Sequence, residues 1–138
     1  MQKQGWQYKA VDVSTGVSDA DPHRLIQMLY EGALDSIAVA KGCIERKETE
    51  AKGLAIGKAI GLVGGLRDSL NHEIVDGGLA DNLSALYEYV SNCLLKASAE
   101  DNKAPLESAR EILSELKSGW DGIRADALAE KHDPRVSA

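Results

Sequence analysis

Four stretches of apolar residues recur at the helical period of 3.6 and are joined by breaker clusters only a few residues long, which leaves this chain little choice but a helical bundle. Asp21-Pro22 opens the first stretch, pairing an N-cap acceptor with proline at the first helical position, and Arg46-Lys47 lies at its end. The second begins at Thr49-Glu50, continues to about Ile74, and stops at Asp76-Gly77-Gly78. The third covers about residues 80–99 and breaks at Glu100-Asp101-Asn102-Lys103. The fourth carries Pro105 in its first turn and ends near Leu128. Short connections make sequential helices antiparallel neighbours, so the expected fold is all-α, an up-down-up-down four-helix bundle over residues 21–128. Residues 1–20, with Gly5 and Gly16 as breakers, read as a flexible N-terminal arm, and residues 129–138 as a disordered tail.

The faces of these helices differ. Ala109, Ile112, Leu113, Leu116, Trp120 and Ile123 share one narrow arc of the fourth, an ordinary core stripe. The third carries Leu79, Leu83, Leu86, Tyr87, Val90, Cys93, Leu94 and Ala97 on one broad side. The first helix is apolar over roughly 240° of its circumference, more than contact with two neighbours requires. One strip holds Leu25, Met28, Leu29, Val39, Ala40 and Cys43; the adjoining strip holds Ile26, Tyr30, Ala33, Leu34, Ile37 and Ile44. Either this helix packs centrally or under the arm, or part of it forms a groove for an apolar partner segment. We take the outer strip Ile26, Tyr30, Leu34 and Ile37 as the candidate partner-binding surface, and assign Leu25, Leu29, Leu66, Leu116 and Trp120 to the core.

The second helix is unusual in carrying Gly53, Gly57, Gly61, Gly64 and Gly65, each costing about 0.5–1 kcal/mol relative to alanine in a helix interior. Close approach by another helix would explain them; so would tolerated weakness on a solvent face.

Composition narrows the function. Of 138 residues, 22 are acidic and 16 basic, and the net charge of −6 disfavours nucleic acid and anionic membranes as partners. The apolar run from Gly53 to Leu66 is too short to span a bilayer, which requires about 20 residues, so no membrane insertion is expected. Cys43 and Cys93 sit in helices without a CxxC motif and read as reduced, small hydrophobes of a cytoplasmic chain. His23, His72 and His132 are scattered, with no HExxH, no Glu-x-x-His pair, no phosphate loop and no GxSxG elbow. Accordingly we expect no catalytic residue, no metal and no cofactor, and no enzymatic activity.

Several ordered blocks resemble one family. The arm Tyr8-Lys9-Ala10-Val11-Asp12-Val13 leads into Asp21-Pro22-His23-Arg24-Leu25-Ile26-Gln27-Met28-Leu29-Tyr30-Glu31-Gly32-Ala33. Farther on come Asn82-Leu83, Leu86-Tyr87-Glu88-Tyr89-Val90, and Gly119-Trp120. Together, over about residues 8–124, they resemble the flagellar secretion chaperones of the FliS family. The glycine series lies outside that pattern. The resemblance implies a cytoplasmic export chaperone that binds the disordered C-terminal segment of flagellin, prevents premature polymerisation and delivers it to the flagellar type III secretion apparatus. It admits export gate components as further partners, and gives Tyr8, Val11 and Val13 of the arm a role in covering the binding groove. The alternative is a non-catalytic interaction module acting as a homodimer through its surplus apolar face; whether the chain is a monomer or a homodimer stays open at this point.

Overall fold

The computed structural model describes residues 21–70 and 77–131, with side chains described as far as Ile123 in the last helix. Four helices make up these residues: α1 (Pro22–Glu45), α2 (Thr49–Ser69), α3 (Gly77–Glu100) and α4 (Ala104–Lys131). No strand occurs among the described residues. The principal contacts join α1 to α2, α2 to α3, α3 to α4 and α4 back to α1, which is the closed ring of an antiparallel four-helix bundle. The expected fold class is the one found.

Helix starts follow local chemistry. Asp21 holds extended backbone angles, and its carboxylate accepts a hydrogen bond from Arg24 N at 2.8 Å, with Pro22 filling the first position. Ahead of α4, Asn102 forms an Asx turn that leads into the helix, its side-chain oxygen accepting from Ala104 N at 3.0 Å. Two helix ends share one device. At the end of α1, Lys47 lies at φ 59°, Lys47 N donates to Ile44 O and Glu48 N donates to Cys43 O. At the end of α3, Asp101 lies at φ 50° and Asn102 N donates to Ala97 O. Both are the left-handed helix stop that glycine normally makes, here built on non-glycine residues. Asp101 is assisted from outside its own helix: the buried Lys52 Nζ of α2 donates to Ser98 O at 2.9 Å and to the Asp101 carboxylate. A cation at the negative end of α3 is thereby paired on two sides, as a buried charge requires.

The expected ends of α3 and α4 shift slightly. Helix α3 begins at Gly77 and so takes in two glycines read as a stop. Helix α4 continues to Lys131, three residues beyond Leu128, because Ala127, Leu128, Ala129 and Glu130 are all strong helix formers. The predicted extension of α2 over residues 71–74, the arm and residues 132–138 lie outside the described residues.

The core contains the buried aromatics Tyr30 and Tyr87 and a set of fully enclosed aliphatics, Ile37, Val63, Leu66, Val90, Leu94, Leu106 and Leu113. Alanines at 33, 40, 59, 97 and 109 are completely buried and keep the helices close. Helices α1 and α2 approach most tightly at Gly32, where a Cβ would sit 2.9 Å from Leu62 Cδ1, and at Gly65, where it would sit 3.3 Å from Leu29 Cδ2. The other four glycines of α2 have a different explanation: a Cβ at Gly53, Gly57, Gly61 or Gly64 would meet nothing within 4 Å. Close packing within the bundle therefore accounts for Gly65 alone of the series. Cys43 and Cys93 are buried free thiols.

Candidate partner-binding site

The start of α1, the end of α2, the start of α3 and the second half of α4 meet at one end of the bundle. There the helices leave an apolar cavity of about 280 Å³. Helix α1 contributes Ile26 and Tyr30; the end of α2 contributes Ser69 and Leu70. Leu79, Leu83 and Tyr87 of α3 form the facing wall, and Leu116, Trp120 and Ile123 of α4 form the next. Leu79 and Ile123 are more than half exposed, so the cavity continues into an apolar rim. Its size is near the lower limit of ligand pockets and suits one or two side chains rather than a cofactor.

A polar seam braces one side. Trp120 Nε1 donates to the backbone oxygen of His23 at 2.8 Å, and the two rings stack with centroids 4.2 Å apart. Next to them Gln27 Nε2 donates to Asp121 at 2.5 Å and Lys117 Nζ donates to its second oxygen at 2.6 Å. The Lys117 hydrogen bond, helped by Gln27, holds the Asp121 carboxyl below the usual carboxylate range. Arg24 pairs with Glu31 at 3.2 Å along the same edge. These contacts fix Trp120 as one wall of the cavity.

Across the bundle, Tyr30 and Tyr87 join hydroxyl to hydroxyl at 2.7 Å. Burial, reinforced at Tyr30 by the neighbouring phenol, pushes the hydroxyls of both tyrosines above their ordinary acidity range. Both are neutral donor–acceptor groups at any physiological pH.

The expected outer strip of α1 needs correction. Ile26, Tyr30 and Ile37 are buried, Ile37 to 2% exposure, and Leu34 is half-buried against the core. The adjoining strip divides: Ala40 and Cys43 are buried, whereas Leu25, Met28 and Leu29 are half-buried and Val39 is 55% exposed. Periodicity fixes which residues share a face but not which face meets the neighbours, and the core face proves to be Ile26, Tyr30, Ala33, Ile37 and Ala40. The structure thus brings Ile26 and Tyr30 to the cavity and leaves Ile37 and Leu34 farther along the helix, outside its lining. Tyr8, Val11 and Val13 lie outside the described residues. Of the residues assigned to the core, Leu66 is fully enclosed, Leu29, Leu116 and Trp120 are half-buried against it, and Leu25 is half-buried outside it.

Sequence reasoning placed Leu79, Leu83 and Tyr87 on a core face and did not see that they also line an opening. No pattern within a single helix signals the opening, because it forms only where four helices meet. Among the described residues no cluster of metal-ligating side chains occurs, and no helix is long and apolar enough to cross a membrane.

Comparison with known proteins adds a family. Residues 3–127 match the family model described as flagellar protein FliS. The flagellar secretion chaperone FliSB of Pseudomonas aeruginosa is 48% identical over 117 residues, covering 85% of this chain and 92% of that protein. The flagellar secretion chaperone FliS of Vibrio cholerae is 36% identical over 84% of this chain and 85% of its own length. That of Salmonella typhimurium is likewise 36% identical, over 87% of this chain and 89% of its own.

Proposed function

The chain belongs to the FliS family of flagellar proteins, and from that premise we propose that it is a flagellar secretion chaperone acting by non-catalytic binding. Its substrate is the disordered C-terminal segment of flagellin, which it keeps from premature polymerisation and hands to the type III export apparatus in the cytoplasm. Components of the export gate are its second class of partner.

The observation that carries this reading is the open apolar cavity between the helix ends, continued by exposed Leu79 and Ile123. A folded, self-sufficient bundle has no use for such an opening; a chaperone for a segment with an apolar face does. A disordered segment would bind as amphipathic helical pieces, burying apolar area while losing conformational entropy. On this reading Ile26 and Tyr30 meet the partner through the cavity, and Ile37 and Leu34 support the helix that presents them. The arm residues Tyr8, Val11 and Val13 cover the same opening until flagellin displaces them.

Calorimetric titration of the full chain with a flagellin C-terminal segment tests the proposal. We expect one-to-one binding with a negative heat-capacity change, the mark of apolar burial. Absence of binding at micromolar concentration, with the chain sedimenting as a stable dimer, would favour the self-associating module instead.

A further inference from the structure

The Tyr30–Tyr87 hydrogen bond joins two helices that are not neighbours in the ring. Other ties between helices follow the ring: Gln27–Asp121 and Lys41–Glu107 link α1 to α4, and Lys52–Ser98 and Arg67–Glu88 link α2 to α3. The tyrosines instead span the diagonal from α1 to α3, about 11–14 Å between axes when neighbouring helices lie about 8–10 Å apart. Their hydroxyls satisfy each other at 2.7 Å, and each residue is 3% exposed. Two rigid rings therefore meet tip to tip across the bundle.

The pair also stands at a boundary. Farther along α1 and α3 lie Ala33, Ile37, Val90, Leu94 and Ala97, all enclosed in the packed core. In the other direction lie Ile26, Leu83 and Leu79, which line the cavity. On the packed side the buried alanines let the helices approach closely. Left to itself that spacing would carry on to the helix ends, because an unfilled gap forfeits dispersion contacts along its walls. We infer that Tyr30 and Tyr87 are positioning residues, a strut that fixes the separation of α1 and α3 at the floor of the cavity and holds it open for apolar side chains of the partner. The partner's part in this rests on the chaperone reading above. The hydroxyls bond to each other and not to the partner, which meets only the rings and the apolar walls. A site held open in this way spares the partner the cost of opening it at each encounter.

The test variant is Y30F/Y87F in the full chain, which keeps both rings and removes both hydroxyls. It leaves no buried hydroxyl unpaired, so its thermal midpoint should lie above those of Y30F and Y87F, each of which strands one. Xenon, which enters apolar cavities, reads the opening without any partner. In nuclear magnetic resonance spectra it should shift the methyl signals of Ile26, Leu83 and Ile123 in the wild-type chain and leave them unmoved in Y30F/Y87F. With a flagellin C-terminal segment, association should slow about ten-fold while dissociation stays unchanged, as follows when about one chain in ten presents an open site. Xenon shifts and association rates in Y30F/Y87F equal to those of the wild type would overturn the inference. So would faster dissociation with the xenon shifts intact, which would make the hydroxyls direct partner contacts, or the absence of xenon shifts from the wild-type chain. If the segment binds neither protein the chaperone reading fails, and the xenon comparison still decides the strut. A further measurement needs no variant: in the wild-type chain the hydroxyl protons of Tyr30 and Tyr87 should stay protected from exchange with water when the segment binds. Loss of that protection would show the pair parting on binding and contradict the strut, even if Y30F/Y87F does not fold.

Discussion

Ile37→Glu is expected to unfold the bundle under conditions where the wild-type chain is folded. Ile37 is 2% exposed and belongs to the α1 face that meets the core. Removing its side chain from the interior forfeits about 1.5–3 kcal/mol of apolar burial. The introduced carboxyl must then be buried charged without a partner, or take up a proton, or drag the helix outward, each adding several kcal/mol. The sum of about 5 kcal/mol rivals the whole stability of a small domain, roughly 5–15 kcal/mol. Far-UV circular dichroism with a urea titration reads the result. Val39→Glu is the control: on the same helix but 55% exposed, it should change stability by no more than about 0.5 kcal/mol. A folded Ile37→Glu protein with an unchanged midpoint would return this strip to the surface.

The second large effect runs in the opposite direction. Replacing Gly53, Gly57 and Gly61 together by alanine should stabilise the chain by about 1.5–3 kcal/mol, since each glycine in a helix interior forfeits about 0.5–1 kcal/mol. Nothing lies within 4 Å of the added Cβ atoms, so no contact opposes the gain. For a chain of this size the thermal midpoint should rise by roughly 5–10 °C, measurable by calorimetry. Gly32→Ala should gain less, because its methyl meets Leu62 Cδ1 at 2.9 Å and the leucine must move. A triple variant that is less stable than the wild type would mean that this face of α2 packs against something in the folded chain.

These two predictions mark how far the sequence could be read. The helices and most of their boundaries were legible because Asp21-Pro22, Pro105 and the breakers between segments act locally, through caps and backbone angles. The helix stops at Lys47 and Asp101 were legible in place but not in kind, since neither is the glycine that such a stop prefers; Asp101 is held from α2 by Lys52, a contact no local pattern announces. Surplus apolar character on α1 was visible, yet its orientation was not. A helix wheel has no origin until the neighbours supply one, and so Ile26, Tyr30 and Ile37 were placed outward when Leu25, Met28, Leu29 and Val39 are the less buried set. The cavity was beyond reach for a related reason. It exists because residues from all four helices meet at one end without closing it, and periodicity along a single helix carries no information about such a gap. The tyrosine pair at its wall, 57 residues apart in sequence, is a tertiary fact of the same sort.

The central claim is that flagellin is held at this cavity, and a charge placed on its rim tests the claim most directly. Leu79 is 53% exposed beside the opening, and Leu54 is 72% exposed on α2 outside the cavity lining, so glutamate at either should leave the fold intact. In titrations against the same flagellin C-terminal segment, Leu79→Glu is expected to weaken binding at least about ten-fold, the loss that follows when about 1.4 kcal/mol of apolar contact is replaced by a desolvated charge. Leu54→Glu should bind as the wild type does. Equal affinity of Leu79→Glu and wild type, or a loss confined to Leu54→Glu, would place the flagellin site elsewhere on the bundle.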